Sequence, residues 1–196
     1  DEPTPDNLMV SSIFFDFRAV AGDMDPTPLA DAVAAGAAGV LISHGAPPHG
    51  AAVLRVPDTL EALGALARWV RRTLKLRVAA LTGSFGKTTT KELAATMLHA
   101  GGQKVLRTPG NFNNLIGLPL TLTGARGDET VAVLELGVNQ PGEMEKLTAI
   151  CEPDVALVTG VGMAHTELLG AVEQVAEEKL KIARGLKRGG ELWLPY

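Results

Sequence analysis

The sequence predicts an α/β protein: a small N-terminal α/β unit, then a phosphate-loop-type parallel-sheet unit. Three observations carry that prediction. From Val78 to Leu186, short apolar runs alternate with longer helical stretches, the rhythm of parallel strands buried on both faces by crossover helices. The first of those runs leads into "TGSFGKTTTKE", a glycine-bearing turn followed by helix-forming residues. The 196 residues, 46% of them hydrophobic, suffice for one large core or two small ones.

In the first unit, residues 1–76, "MVSSIFF" is predicted as one strand, "PLADAVAAGA" as an Ala-rich helix, and "GVLIS" and "AAVLRV" as strands. "TLEALGALARWVRRTL" follows as an amphipathic helix. Its Leu60, Leu63, Leu66, Ala67 and Val70 recur at intervals of three and four, leaving Glu61, Arg68, Arg71 and Arg72 to the opposite face. "SHGAPPHG" is a loop by its Pro and Gly content, and its His44 and His49 have no carboxylate or Cys nearby to complete a metal site. In the second unit, from residue 77, the predicted order is strand "VAALT", a helix from Gly86 to Ala100, strand "KVLRT" and a short helix in "LIGLPLTL". Strand "TVAVLEL", helix "PGEMEKLTAI", strand "DVALVTG" and a long helix from Leu169 to Leu186 complete it.

Composition excludes several function classes. A net charge of −4 without a basic cluster argues against a nucleic-acid surface. Cys151 is the sole cysteine, so no intrachain disulfide forms; beside an apolar helix end it is expected to be a small buried hydrophobe. "DEPTPDNLMV" has no basic region before an apolar run, and no stretch of about 18 apolar residues occurs. Neither a signal peptide nor a membrane span is predicted, and a cytoplasmic protein is expected.

The turn after the first strand of the second unit departs from the G-x-x-x-x-G-K-S/T pattern, since Leu81 stands where the first glycine is usual. Gly83 and Gly86 still allow a tight turn and close approach to an anion, Lys87 can reach β- and γ-phosphates, and Thr88 offers a hydroxyl to Mg²⁺. The competing reading is a plain turn capped by Ser84 or Thr82, with Lys87 in solvent. Glu135 ends an apolar strand; buried there it needs a cation or a basic partner, unless it emerges into water. In "TPGNFNNLIGLPLT" three asparagines, Asn111, Asn113 and Asn114, serve either the turn or a bound amide or phosphate group. By pattern alone His165, in "VTGVGMAH", is a hydrogen-bonded loop residue, and Lys179, among Glu177, Glu178 and Lys181, is part of a solvated helix face.

In combination, "TGSFGKTTTKE", "TPGNFNNLIGLPLTL", "ELGVNQPGEMEKL", "VTGVGMAH" and "VEQVAEEKLKI" resemble the Mur ligases, the ATP-dependent amino-acid-adding enzymes of bacterial peptidoglycan synthesis. That family uses the short T-G-x-x-G-K-T spacing, so Gly83 supplies the first glycine. Upstream, "DFRAVAGD" is similar to the family's D-S-R-x-V-x-x-G-D in a nucleotide-sugar-binding first domain, with Phe17 in place of the serine. The resemblance implies that Lys87 and the backbone of Gly83, Ser84, Phe85, Gly86, Thr88 and Thr89 hold the phosphates of ATP. It implies one Mg²⁺ on Thr88 and Glu135, and a second on His165 and a carbamylated Lys179, since CO₂ converts a cationic amine into an anionic oxygen ligand. Lys87, Glu135, His165 and Lys179 would form the catalytic set, with Asn113, Asn114 and Arg18 toward the substrate.

The motifs are most similar to those of the branch that joins D-alanyl-D-alanine to UDP-N-acetylmuramoyl-tripeptide, and a cytoplasmic monomer acting on those two partners is the corresponding expectation. Residues 1–76 would be a nucleotide-sugar domain shortened after Asp23, and residues 77–196 an incomplete central ATP-binding domain. The family's third domain would lie beyond Tyr196, so the 196-residue chain alone is expected to be inactive. Two other readings stay open: another amide ligase of diamino-acid-adding, cyanophycin or folylpolyglutamate type, and a nucleotide-binding module without catalysis.

Overall fold

The computed structural model describes residues 7–10, 13–16, 27–46, 49–162 and 171–195. The chain divides into two compact units, Asp1–Leu63 and Gly64–Tyr196. In the first, strands β1 (Asn7–Val10), β2 (Ile13–Asp16), β3 (Gly39–Ile42) and β4 (Ala52–Arg55) form a sheet in that order. β1 and β2 pair antiparallel with Val10 opposite Ile13, whereas β2–β3 and β3–β4 are parallel. The run "MVSSIFF" is therefore two strands, not the single one expected. Apolar composition fits both arrangements, and the Ser-Ser pair in mid-run was the available turn signal. Helix α1 (Thr27–Ala34) buries Leu29 and Ala32 against Val40 and Ile42 of β3.

Helix α2 (Thr59–Thr73) begins at Asp58, whose carboxylate accepts the N–H groups of Leu60 and Glu61 at 2.8 and 2.9 Å. Leu63 and Ala67 are fully buried, as the periodicity requires. Arg71 does not take the solvent face expected of it: one helical turn beyond Ala67, it is buried with them. Its guanidinium donates to the carbonyls of Cys151 (2.8 Å) and Glu152 (2.7 Å) and to Asp154 Oδ2 (3.1 Å). The same Asp154 oxygen accepts the N–H of Val78, so Arg71 ties α2 to the start of the central strand. Cys151 is buried as expected, and burial pushes its thiol up to about 12, which leaves it unreactive.

The second unit holds strands β5 (Arg77–Thr82), β6 (Val105–Arg107), β7 (Val131–Glu135), β8 (Val155–Val158) and β9 (Glu191–Trp193). They pair in the order β6-β7-β5-β8-β9, all parallel. Helix α3 (Lys87–Ala100) covers one face with Ala95 against Leu81 and Val133. Helices α4 (Gly117–Thr123), α5 (Glu143–Cys151) and α6 (Val172–Leu180) cover the other with Leu118, Leu122, Met144, Leu147 and Val175. The helix expected to run unbroken to Leu186 gives way after Leu180 to a 3₁₀ turn, Lys181–Gly185. Gly185 sits so close to α5 that a Cβ there would lie 2.2 Å from Thr148 Cβ. β9 had no counterpart in the prediction, because three residues after a Gly-Gly pair carry too little pattern.

Topology fixes where a ligand belongs. From β5 the chain moves outward to β6 and returns to β7 on one side, then continues to β8 and β9 on the other. The switch point lies at the carboxyl end of β5, flanked by the ends of β7 and β8, and crevices at such points are the ligand sites of open parallel sheets.

Candidate nucleotide and metal site

At that switch point stands the loop Gly83–Gly86. A Cβ on Gly83 would meet Thr159 Oγ1 at 2.1 Å, so only glycine lets the loop run this close to the segment after β8. Gly86 has a φ of +78°, a left-handed conformation that glycine adopts without strain, and α3 starts at the next residue with no side-chain cap. Both hydroxyls considered as caps are engaged elsewhere. Thr82 donates to the carbonyl of Leu136 at 2.8 Å, and Ser84 exchanges hydrogen bonds with the backbone of Gly162 at 3.0 and 3.1 Å. The first N–H groups of α3 thus have no side-chain cap, an arrangement suited to an anion. Lys87 curls over the loop and donates to the carbonyl of Gly83 at 2.8 Å. Thr89 is exposed in the first turn of α3. The exposed ring of Phe85 rests on the β8 loop, where a Cβ on Gly160 would come within 2.5 Å of it.

Glu135, at the end of β7, lies level with Leu81 across the sheet, beside the loop. Its side chain is buried, and the structure brings three of the expected residues together there. Thr88 Oγ1 donates to Glu135 Oε2 at 3.0 Å, and Asn113 Nδ2 donates to Oε1 at 2.9 Å. Gly137 makes room for that amide, since a Cβ there would stand 2.6 Å from Asn113 Oδ1. Asn114 has a different job: its Oδ1 accepts the N–H groups of Ile116 (3.1 Å) and Gly117 (2.8 Å) at the start of α4.

The basic partner that a buried Glu135 requires is Lys91, which sequence reasoning did not single out. It is 0% exposed, and its Nζ stands 3.9 Å from Glu135 Oε2 while donating to the carbonyls of Thr108 (2.9 Å) and Gly110 (3.2 Å). Nothing in "TTTKE" marks this lysine as interior; the segment and strand that enclose it come 17 residues and more later.

The run around Lys179 is not a solvated face. Glu178 is 3% exposed and Lys179 is 1% exposed. Glu178 accepts the N–H groups of Gly142 (2.9 Å) and Met144 (3.1 Å) at the start of α5 and pairs with Lys181 at 2.7 Å. Burial works against its charge, but Lys181 and the two amides outweigh burial and hold the carboxyl below its ordinary range. Burial first, and then the nearby charge of Lys87, lower the Lys179 amine to about 8, with Glu178 acting in the opposite direction. Both amines therefore bear on one region. Among the described residues, no group of three or more His, Cys, Asp or Glu side chains is arranged as a metal site, and His44 and His49 are exposed. His165 and Arg18 lie outside the described residues.

Strand order, the glycine-built turn and the helix start behind it define a phosphate-loop-type α/β domain. Residues 81–195 match the Mur ligase middle domain, and the chain belongs to the Mur ligase family. It is 45% identical over 161 residues to the UDP-N-acetylmuramoyl-tripeptide–D-alanyl-D-alanine ligase of Bacillus subtilis (strain 168), covering 81% of this chain and 35% of that one. With the enzyme of that name from Escherichia coli (strain K12) it shares 41% over 175 residues, 89% of this chain and 38% of the relative. Among solved structures, it superposes on MurF from Acinetobacter baumannii with a TM-score of 0.80 and 36% identity, covering 85% of this chain and 36% of that one. For MurF ligase from Thermotoga maritima in complex with ADP the TM-score is 0.79 and the identity 32%, covering 87% and 40%. The chain thus spans little more than a third of the length of the curated relatives it matches.

Proposed function

We propose that this chain carries the nucleotide-sugar-binding part (residues 1–76) and much of the ATP-binding part (residues 77–196) of a ligase that joins D-alanyl-D-alanine to UDP-N-acetylmuramoyl-tripeptide. The observation that supports this most is the meeting of Thr88, Asn113 and Glu135 beside Lys87 at the switch point, in a chain whose relatives bear that name.

The chemistry follows from charge. A carboxylate is a poor electrophile and is repelled by a triphosphate. Lys87 and the uncapped amides of α3 offset that repulsion, so the terminal carboxylate of the tripeptide can attack the γ-phosphorus. A carboxyl C–O–P bond forms as the bond between the γ-phosphorus and the β-bridging oxygen breaks, giving an acyl phosphate and ADP. The amine of D-alanyl-D-alanine then attacks the acyl carbon; phosphate leaves with the C–O bonding pair, the nitrogen loses a proton, and an amide remains.

Mg²⁺ fits the donors present: the Thr88 hydroxyl and the buried Glu135 carboxylate are the hard oxygens it prefers, and it would add Lewis-acid charge neutralisation. Lys179 would serve a second site. CO₂ adds only to an unprotonated amine, and an amine lowered to about 8 holds far more of that form at neutral pH than an ordinary lysine. The carbamate so formed would bind metal with His165, and Arg18 would contact the nucleotide-sugar substrate. Among the described residues no helix is long and apolar enough to cross a membrane; a cytoplasmic monomer that binds no nucleic acid suits this reading.

Full-length protein is expected to release phosphate from ATP only when UDP-N-acetylmuramoyl-tripeptide and D-alanyl-D-alanine are both present. Phosphate release at the same rate with either acceptor omitted would contradict the assignment.

A further inference from the structure

We propose that Lys91 is a positioning residue for the metal-binding edge of this site. A fully buried lysine is costly unless its ammonium is satisfied on several sides, and Lys91 is. It donates to the carbonyls of Thr108 and Gly110, lies 3.2 Å from Glu92 Oε1 and stands 3.9 Å from Glu135 Oε2. Those partners belong to the walls of the site. Thr108 accepts the backbone N–H of Glu135 on its hydroxyl at 2.9 Å, and the segment after Gly110 carries Asn113, which holds the other carboxylate oxygen.

Lys91 therefore joins α3, the 108–110 segment and the end of β7 through one ammonium group. Glu135 is reached from three directions: Thr88 on α3, Asn113 beyond the 108–110 segment, and the Lys91 charge beneath. One of the other two depends on Lys91 for its placement, since the 108–110 carbonyls that Lys91 holds lead to Asn113. Lys91 is fully buried with its ammonium committed to those carbonyls, so its role is one of positioning. Its effect passes through the placement of the carboxylate that would receive the metal. This rests on reading residues 83–89 as the phosphate site and Glu135 as a metal ligand.

The test compares ADP binding with and without Mg²⁺, by calorimetry, in full-length wild-type protein, Lys91→Met and Lys91→Arg. Lys91→Met is expected to weaken Mg·ADP binding about tenfold or more, the usual cost of removing a group that supports a metal ligand. Metal-free ADP, held by the loop amides and Lys87, should bind within about threefold of wild type, because those groups are not joined to Lys91. Lys91→Arg, which keeps a cationic donor, should recover most of the Mg²⁺-dependent part. Hydrogen exchange should rise in residues 108–114 of the Met variant and stay unchanged across β5 and β8. Equal losses with and without Mg²⁺, or exchange rising throughout the sheet, would overturn the proposal in favour of a purely structural lysine. If Lys91→Met does not fold, Lys91→Gln, which keeps a donor but no charge, takes its place, and failure of both to fold overturns the proposal too. Wild-type protein that binds neither form of ADP would instead overturn the reading of the phosphate site on which it rests.

Discussion

In the full-length protein, Lys87→Ala is expected to lower ligase turnover by roughly 10²–10³-fold or more while leaving the fold intact. The two halves of that expectation have separate causes. Among the described residues Lys87 makes one hydrogen bond, to the carbonyl of Gly83 within its own loop, and such a bond contributes only about 1 kcal/mol to stability. Against a triphosphate the same ammonium would be a charge held at the developing negative charge, and an alanine could not replace it. Turnover with both substrates measures the first half, and thermal unfolding measured in parallel checks the second. Wild-type turnover by the variant would remove the loop from the mechanism.

Lys179→Met should separate stability from activity in the opposite sense. Turnover is expected to fall by about 100-fold or more, as for loss of a metal ligand. Stability near pH 7, without metal and bicarbonate, is expected to rise by about 1–3 kcal/mol. The sign follows from linkage. The Lys179 amine drops from 10.5 to about 8 on folding, so between those values the unfolded chain holds a proton that the fold gives up. Stability therefore climbs as pH rises from 8 to 10.5, and the cost of the desolvated ammonium is fully present below about pH 8. Methionine fills similar volume without that cost. Melting curves at pH 7 and pH 10 read the effect: the variant should gain most at pH 7 and little at pH 10. A variant less stable than wild type at pH 7 would show that Lys179 is held by favourable contacts and not tolerated for function.

The alternation of strands and helices was legible because parallel strands must be apolar on both faces, and β5, β7 and β8 are. Glu135 was legible as a residue needing a partner for a related reason, since a carboxylate ending such a strand has few ways to be satisfied; its pairing with Thr88 followed from the family resemblance and not from local pattern. Three charged side chains, Arg71, Glu178 and Lys179, are buried although their spacing or neighbours put them on solvent faces, and a fourth, Lys91, is buried with nothing in its own segment to mark it. Periodicity reads the polarity of a side chain and not the fate of its head group. Arg71 is satisfied by carbonyls some 80 residues away, Glu178 by amides more than 30 residues away, and Lys91 by carbonyls 17 and 19 residues away. Such partners exist only after the chain has folded, so no local pattern announces them. Of the paired asparagines, Asn113 entered the site and Asn114 accepts N–H groups at the start of α4, a division that their shared chemistry could not reveal.

Activation of a carboxylate by phosphoryl transfer is tested most directly by oxygen tracing. Full-length protein is supplied with ATP, D-alanyl-D-alanine and UDP-N-acetylmuramoyl-tripeptide whose terminal carboxylate carries ¹⁸O, and the released phosphate is analysed by mass spectrometry. An acyl phosphate predicts that each phosphate released carries one oxygen from the tripeptide carboxylate, matched by one new amide bond. Amide product formed alongside phosphate that carries no label would contradict it.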